Sequence, residues 1–307
     1  MKKAIVTGAN GFVGSAVVRE LLRHGVQVTA LDRTGCCENL PRNELLRFIP
    51  CELSEMDSLK TTLPKGEHDI FYHFAWAGSA GPQRTDSALQ MQNALWTLDA
   101  VKTASALGVK RFVSAGSIME YETTAATFTQ GSRPGMGYIY GGGKLIAHVI
   151  CKASAAEIGM DLLWAHITNA YGPGERSLRF VNTTIRKMIE RQPLQFTSGT
   201  QNYDFVYIDD VARAFYLIGE NGKPFCEYMI GSSHARPLRE FIEEMGQALA
   251  PQQELVFGDV PFTGTDLPLC QFDCSVTERD TGFKAEVSFA EGTKRTMDWI
   301  IETEYQK

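Results

Sequence analysis

Residues 2–14 read Lys-Lys-Ala-Ile-Val-Thr-Gly-Ala-Asn-Gly-Phe-Val-Gly, and this stretch decides the fold. An apolar, β-rich run meets three glycines at Gly8, Gly11 and Gly14, and an amphipathic helical pattern follows. A second β-rich run then ends at Asp32. A strand, a glycine turn, a helix and an acidic residue about 20 positions further on predict a dinucleotide-binding site.

Each glycine has a separate predicted role in that turn. Gly8 makes the tight bend, Gly11 lets the backbone approach a pyrophosphate, and Gly14 lets the helix pack closely on the strand. The helix N-terminus then offers unpaired N–H groups to the phosphates. The Asp32 carboxylate suits the two ribose hydroxyls of NAD and repels a 2′-phosphate, which predicts NAD. The neighbouring Arg33 would suit that phosphate, so NADP stays open.

The composition is that of an ordinary globular protein. The chain has 307 residues, a net charge of -6, 44% hydrophobic and 21% charged residues. Its length fits a dinucleotide domain with a smaller companion. The acidic balance argues against nucleic acid as a partner, and no apolar run is long enough for a membrane span. With a strand at the very start of the chain, we expect a cytoplasmic protein. The seven cysteines lack metal-ligand spacing, and we expect reduced thiols and no metal site.

Strand and helix signals alternate through the first half of the chain, which predicts an α/β fold. We expect a Rossmann-type, doubly wound parallel sheet with a smaller, discontinuous C-terminal α+β substrate domain. The dinucleotide-binding domain is predicted at 1–170, with about 204–234 returning to the sheet through a strand at 204–208. The substrate domain is predicted at 171–203 and 235–307. The predicted strands are 3–7, 26–31, 46–49, 69–74, 110–114 and 161–166, and the main predicted helices are 84–107, 138–158, 178–191, 209–219, 237–249 and 289–303.

Tyr140 and Lys144 are the first candidates for catalysis. Their i, i+4 spacing on the predicted helix 138–158 places both side chains on one face. A nearby ammonium favours the phenolate of a tyrosine and so brings its pKa, ordinarily about 10, toward the range of proton transfer. The three intervening glycines are unfavourable in a helix interior. They predict a close approach of the helix to cofactor or substrate.

These motifs together resemble the extended short-chain dehydrogenase/reductases, and more closely the NAD-dependent epimerase/dehydratase family that acts on nucleotide sugars. The resemblance covers essentially the full length. Further matching segments are Glu52-Leu53, His73-Phe-Ala-Trp-Ala77, Asn93, Ser117 with Tyr121 four residues later, Asn169-Ala-Tyr-Gly-Pro-Gly174 and Asp204-Phe-Val-Tyr-Ile-Asp-Asp-Val-Ala212.

The resemblance implies a role for each matched residue. Tyr140 would move a proton to or from a sugar hydroxyl or ketone, Lys144 would hold the nicotinamide ribose and lower the pKa of Tyr140, and Ser117 would orient the reacting oxygen. The implied cofactor-binding residues are Gly8, Asn10, Gly11, Phe12, Val13, Gly14, Asp32, Arg33, Glu52, Leu53, Phe74, Ala75, Trp76, Asn93, Tyr140 and Lys144. The implied substrate-binding residues are Ser117, Asn169, Arg179 and Tyr203.

Departures from the family pattern narrow the reaction. The family's 4,6-dehydratases carry Thr-Asp-Glu at the serine, where this chain has Ser117-Ile118-Met119, so dehydration is disfavoured. Met119 also stands where the 3,5-epimerase/reductases have a cysteine, so epimerisation through a carbanion is disfavoured as well. The remaining reactions are 4-epimerisation and 4-ketoreduction. We interpret Glu120 and Glu122 as solvated or structural, and His166 as a packed strand histidine.

The usual arginines for a sugar pyrophosphate are missing, since Tyr203 and His166 occupy two of their places. Arg176, Arg179, Arg186 and Arg236 are the candidates to replace them. This gap keeps open an oxidoreductase acting on a smaller, non-nucleotide carbonyl or alcohol, and a non-catalytic cofactor sensor is a third hypothesis. The helices 84–107 and 138–158 resemble those that build the family's four-helix dimer interface, so a homodimer is expected.

Overall fold

The structure is a computed structural model that describes residues 1–33, 35 and 37–306. The strands of the described residues are β1 (Lys3–Thr7), β2 (Gln27–Asp32), β3 (Leu46–Pro50), β4 (Ile70–His73), β5 (Arg111–Ser117), β6 (Asp161–Ile167), β7 (Ala170–Tyr171), β8 (Leu194–Phe196), β9 (Asn202–Tyr203), β10 (Val206–Tyr207), β11 (Glu227–Ile230), β12 (Arg236–Pro237) and β13 (Leu255–Phe257).

The described α-helices are α1 (Phe12–Arg23), α2 (Leu59–Thr62), α3 (Ser87–Ala106), α4 (Met119–Phe128), α5 (Tyr138–Ile158), α6 (Phe180–Ile189), α7 (Ile208–Asn221), α8 (Leu238–Leu249), α9 (Ser275–Thr281) and α10 (Phe289–Ile300). Short 3₁₀ helices lie at Leu53–Ser58, Pro82–Thr85 and Leu269–Phe272, and a π-helical turn follows α10 at Ile301–Tyr305.

Seven parallel strands form the central sheet, in the order β11-β6-β5-β4-β1-β2-β3. The order reverses between β1 and β4, and ligands of open α/β sheets bind at the carboxyl ends of the strands beside such a reversal. The expected Rossmann-type sheet is confirmed.

Both faces of the sheet are buried because its side chains alternate between two hydrophobic clusters. On β1, Ala4 and Val6 join the cluster covered by α1 and α7. Ile5 joins the opposite cluster, to which α3 and α5 contribute. The second β-rich run therefore forms a strand of the sheet, β2, and the segment 138–158 forms the helix α5, as their apolar patterns predicted.

The C-terminal half adds short strand pairs and helices beyond the ends of β5 and β6. Here β7 pairs with β10, β9 with β12, and β8 with β13. Aromatic rings fill this region, with Phe205 and Phe241 at 5.1 Å and Phe241 and Phe289 at 4.9 Å between ring centroids. The exact limits of a separate substrate domain stay a prediction.

One strand prediction is wrong. The segment 204–208 does not return to the central sheet, since its strand β10 pairs with β7 in a separate ladder. The seventh strand of the sheet is β11, which pairs with β6. The apolar run of 205–208 is buried by the helices and aromatic rings of the C-terminal half, which satisfies the same hydrophobic pattern in another place.

The glycines between Tyr140 and Lys144 also differ from expectation. A Cβ on Gly141 would lie 2.1 Å from Thr123 Oγ1 and 2.5 Å from the carbonyl oxygen of Met119, both on α4. A Cβ on Gly143 would lie 2.8 Å from the carbonyl oxygen of Gln90 on α3. Two of the three glycines therefore serve close packing between helices, and not contact with a cofactor.

Within the part of the chain that the structure describes, no helix is both long and apolar enough to span a membrane. The described cysteines are all free thiols. Cys36, part of the adjacent pair noted in the sequence, lies outside the described residues.

Candidate active site

The glycine turn has the geometry that the sequence predicted for Gly8 and Gly14. Gly8 has a φ of +63°, and a Cβ there would lie 2.6 Å from the backbone nitrogen of Ala75. A Cβ on Gly14 would lie 2.0 Å from the carbonyl oxygen of Gly8, so α1 packs directly on the turn. Gly11 is the N-cap of α1 and provides no side-chain cap, which leaves the first amides of the helix for an anion.

Asp32 is held in place by the protein backbone. Its Oδ2 accepts a hydrogen bond from the Asn10 amide at 2.8 Å, and its Oδ1 accepts one from the Arg33 amide at 2.8 Å. Asn10 is fixed in turn by the amide of Asn39, which donates to its side-chain oxygen at 2.8 Å. The carboxylate therefore lies at the end of β2 in a set orientation, beside the glycine turn.

A cavity of about 770 Å³ extends from this turn along the carboxyl ends of the strands. Every predicted cofactor-binding residue except Asn93 lines it. Those lining residues are Gly8, Asn10, Gly11, Phe12, Val13, Gly14, Asp32, Arg33, Glu52, Leu53, Phe74, Ala75, Trp76, Tyr140 and Lys144.

Asn93 lies behind the cavity wall. Its side chain is 1% exposed, accepts a hydrogen bond from the Ala77 amide at 2.8 Å and donates to the Ala77 carbonyl oxygen at 2.8 Å. Both bonds fix the loop that follows β4, to which Trp76 also belongs. Asn93 therefore braces the cavity wall, and in this structure it has no surface open to a cofactor.

Ser117, Tyr140 and Lys144 all line the cavity. Ser117 ends β5, whereas Tyr140 and Lys144 lie in the first two turns of α5. Burial raises the pKa of Tyr140 above its ordinary value of 10, while the nearby charges of Arg84 and Arg179 and a hydrogen bond from Ser117 act in the opposite direction. The Ser117 hydroxyl is therefore close enough to Tyr140 to influence its pKa.

Lys144 is buried and contacts protein groups other than Tyr140. Its ammonium donates to the Ala115 carbonyl oxygen at 2.8 Å and lies 3.8 Å from the centre of the Trp76 ring. Burial lowers its pKa from 10.5 to about 7. The groups that lower the pKa of Tyr140 are Arg84, Arg179 and Ser117, and the predicted effect of Lys144 is not among them.

Arg84 lies next to Tyr140 and was not among the residues predicted from the sequence. It lies on the 3₁₀ helix Pro82–Thr85, donates to the Ser79 carbonyl oxygen at 3.0 Å, and places its guanidinium 4.0 Å from the centre of the Tyr140 ring. It belongs to no sequence motif, because the turn that carries it is distant from Tyr140 in the chain. The sequence shows a basic residue after β4, but no pattern in it relates this residue to Tyr140.

The predicted substrate residues separate into two groups. Arg179 lines the cavity beside Arg176 and forms an ion pair with Glu175 at 3.1 Å. Asn169 instead donates to the Asp204 carbonyl oxygen at 3.0 Å, and Tyr203 lies in the β9–β12 ladder; neither lines the cavity.

The other two candidate arginines are engaged elsewhere. Arg186 forms a two-bond pair with Glu304, at 2.7 and 2.8 Å. Arg236 pairs with Glu244 and stacks on Phe241 at 4.2 Å. Of the four arginines suggested as replacements, Arg176 and Arg179 are therefore placed at the cavity.

Glu120 is structural, as one of the two sequence interpretations held, and it lies directly behind the site. It is 2% exposed, and its Oε1 accepts the Ser117 amide at 2.8 Å and the Trp164 indole N–H at 3.3 Å. His148 and His166 flank it. Burial opposes a charge on His166, but the proximity of Glu120 and Glu227 raises its pKa to about 9. Glu122 is half-buried, and burial raises its pKa to about 7.

The sheet order, the glycine turn and the cavity at the strand ends define a Rossmann-type dinucleotide-binding protein. The family model described as "NAD dependent epimerase/dehydratase family" matches residues 4–231, and the chain belongs to this family. The predictions of the family and of NAD as its cofactor are confirmed.

Relatives of known name are similar along almost the whole chain. A UDP-glucuronate 4-epimerase of Thermodesulfobacterium geofontis is 24% identical, and the alignment covers 97% of this chain and 96% of that protein. A probable dTDP-glucose 4,6-dehydratase of Sinorhizobium fredii is 23% identical, with 98% and 93% covered. The solved structure of MoeE5 with UDP-glucuronic acid and NAD has a TM-score of 0.78 at 25% identity, with 99% and 100% covered.

Proposed function

We propose that this protein is an NAD-dependent enzyme that transfers a hydride at C4 of a nucleotide-activated sugar, as a 4-epimerase or a 4-ketoreductase. The observation that carries this proposal is the meeting of Ser117, Tyr140 and Lys144 on the wall of the cavity that also contains the glycine turn and Asp32. The names of relatives such as UDP-glucuronate 4-epimerase support it.

The residues present fit NAD. The N-terminus of α1 suits the pyrophosphate, Asp32 suits the adenosine ribose, and Lys144 suits the nicotinamide ribose. When bound, NAD supplies the acceptor and the donor of the hydride.

Proton transfer falls to the protein. As a C4 hydroxyl becomes a ketone, Tyr140 Oη takes the hydroxyl proton, and the Ser117 hydroxyl holds the reacting oxygen by a hydrogen bond. In the reverse direction Tyr140 returns the proton to the oxygen. Arg84, over the tyrosine ring, stabilises the phenolate by its charge.

A sugar diphosphate needs cationic partners, and we assign this role to Arg176 and Arg179. Both line the cavity, and guanidinium groups bind phosphate oxygens through paired hydrogen bonds. In this proposal, Arg176 and Arg179 take the place of the family arginines that are missing from the sequence. A smaller non-nucleotide substrate remains the second hypothesis and would leave these two arginines without a function.

The proposal disfavours dehydration, although dehydratases are among the relatives. Elimination of water needs an acid and a base besides the tyrosine. Ile118 is 2% exposed within an apolar cluster, and Met119 carries no titratable group. Assay with dTDP-glucose tests this point, because formation of a 4-keto-6-deoxy sugar would contradict the proposal.

The substitution Tyr140→Phe tests the catalytic assignment. We expect kcat to fall by about 10²–10⁴-fold while NAD remains bound, because the variant loses only the proton-transfer group. The measurement is turnover of UDP-glucuronate, UDP-glucose and 4-keto nucleotide sugars, with cofactor content determined by mass spectrometry. Tyr216→Phe is the matched control, since that ring lies on α7 and stacks on His24. Equal turnover by wild type and Tyr140→Phe would contradict the assignment of Tyr140 as the proton-transfer group. No turnover of any of these substrates by the wild type would favour the cofactor sensor.

The same mass spectra separate the two reactions. An epimerase regenerates its cofactor in the site, so stoichiometric NAD in the purified protein favours epimerisation. A site that exchanges reduced cofactor at each turnover favours ketoreduction.

We also propose a cytoplasmic location, in keeping with free thiols at the described cysteines.

A further inference from the structure

Three buried side chains behind the active site form a cluster with the composition of a metal site. Glu120 lies in the first turn of α4, His148 on α5 and His166 on β6, with 2%, 7% and 2% of their surfaces exposed. One ligand atom from each lies within 4.8 Å of the others. Two histidines and a carboxylate are ligands that zinc and related ions prefer.

Each histidine approaches a different oxygen of the Glu120 carboxylate. Glu120 Oε2 lies 3.3 Å from His148 Nδ1, and Glu120 Oε1 lies 3.3 Å from His166 Nδ1. The His148 contact is a long hydrogen bond, since charge-assisted bonds are ordinarily about 2.7–2.9 Å. Two ligands at tetrahedral angles around zinc, each about 2.0–2.1 Å from it, lie about 3.3–3.4 Å apart.

Several of the ring nitrogens lack a hydrogen-bond partner. His166 Nδ1, His166 Nε2 and His148 Nε2 are buried without one. Buried polar groups are normally paired, so unpaired nitrogens on two adjacent histidines indicate a missing ligand. A cation between Glu120 and the two rings would pair the free His166 Nδ1 and would replace the contact of His148 Nδ1 with Glu120 Oε2.

One outer carboxylate, that of Glu227, faces both rings on the side away from Glu120. Glu227 Oε1 lies 3.6 Å from His148 Nε2, and Glu227 Oε2 lies 3.7 Å from His166 Nε2. With a metal bound, each ring would keep its proton on Nε2, facing Glu227, and would direct its Nδ1 lone pair to the ion. Lys152 holds Glu227 at 2.7 Å.

The cluster is accessible through a cavity of its own. This cavity, of about 530 Å³, is lined by the three residues together with Glu227 and Lys152, and among the described residues it shares none with the lining of the catalytic cavity. It provides an entry path for an ion and room for a water molecule as a fourth ligand.

We propose that Glu120, His148 and His166 bind a divalent transition metal of the zinc class, which braces Ser117 from behind through the bond from its amide to Glu120. The ion is structural, and it does not take part in hydride or proton transfer.

The wild-type protein, purified without a histidine tag and dialysed against a chelator, is titrated with Zn²⁺ by calorimetry and with Co²⁺ by visible absorption. We expect one equivalent to bind, Co²⁺ to give the absorption of a tetrahedral site, and Zn²⁺ to raise Tm. Absence of stoichiometric binding to the wild type would overturn the proposal and favour protonated histidines bridging the two carboxylates. This titration involves no substrate, so its outcome is independent of the proposed enzymatic activity.

Variants locate the site. His148→Asn, at the cavity edge, is expected to weaken Zn²⁺ affinity at least 100-fold, and Glu227→Gln to weaken it about 10–100-fold. His234→Asn is the matched control, because that histidine is exposed and outside the cluster. Equal affinity of wild type and His148→Asn would place the ion elsewhere and overturn the assignment.

Discussion

At the scale of single residues, the site brings together groups that the sequence identified and one that it did not. Tyr140 and Lys144 could be predicted from their i, i+4 spacing, and Ser117 from the resemblance to the family. Arg84 was not, because it reaches the tyrosine ring only through the path of the loop after β4. The positions of Asn169 and Tyr203 outside the cavity also depend on tertiary contacts that no local pattern records.

The charge of Arg84 should lower the pKa of Tyr140. Burial raises the pKa of Tyr140 and the Arg84 charge opposes that rise, so Arg84→Gln should raise the pKa further. We expect the acidic limb of the kcat/KM–pH profile to move to higher pH and the rate at pH 7 to fall about tenfold. Arg84→Lys, which keeps the positive charge, should restore much of the profile. Superimposable profiles of wild type and Arg84→Gln would contradict this role.

Lys144 should be a source of instability in the protein without cofactor. Its pKa is lowered to about 7 by burial. Between pH 7 and its unfolded pKa near 10.4 the unfolded chain binds a proton that the folded protein lacks, so the free energy of unfolding rises with pH in this window. At pH 7 and below the full penalty of the buried charge is present.

The substitution Lys144→Met therefore should raise the free energy of unfolding at pH 7 by about 0.5–2 kcal/mol while abolishing turnover. The measurement is denaturant unfolding of the cofactor-free protein at pH 7 and pH 10, where the difference from wild type should shrink at the higher pH. Lys110→Met, at an exposed position, is the control. A stability difference that grows with pH would contradict the argument.

At the scale of elements, the hydrophobic patterns predicted the central strands and long helices, whereas the pairing of short strands could not be predicted. The run at 205–208 is apolar enough for a buried strand of the central sheet. The Val206 amide instead donates to the Asn169 carbonyl oxygen at 3.1 Å and begins the ladder with β7. The choice between the two sheets depends on tertiary packing, because both bury the same side chains.

The glycines of α5 give a paired test of helix packing. Gly141→Ala should destabilise the protein by about 1–3 kcal/mol, because its Cβ would overlap Thr123 and the Met119 carbonyl oxygen. Gly142→Ala should be neutral or stabilise by up to about 1 kcal/mol, because nothing lies within 4 Å of that Cβ and alanine favours helix. The measurement is urea unfolding of both variants, and equal effects would show that α4 does not approach α5 closely.

At the scale of the whole molecule, α3 and α5 pack against each other and leave apolar side chains in solvent. Met91 and Leu95 on α3 are 44% and 50% exposed, and Ile146 and Val149 on α5 are 37% and 61% exposed. Adjacent exposed apolar groups on two helices indicate an interaction surface. They agree with the homodimer expected from the resemblance, which stays a prediction.

The substitution Leu95→Glu should convert the dimer to a monomer, because it places a charge at the centre of this surface. Sedimentation velocity of wild type and variant measures the mass. Phe262→Glu is the control, since Phe262 is 41% exposed and lies in a loop outside these helices. A wild-type monomer, or a dimer unaffected by Leu95→Glu, would contradict the prediction.

Asp32 makes a change of cofactor preference harder than its charge alone suggests. A redesign toward NADP would begin by deleting this carboxylate, yet the same two oxygens fix the Asn10 amide inside the glycine turn and the Arg33 amide beside it. Replacement by alanine would therefore loosen the loop that must bind the pyrophosphate of either dinucleotide. An engineer would have to rebuild the turn and the ribose contact together, and a single exchange at Asp32 should yield an enzyme that binds both cofactors weakly.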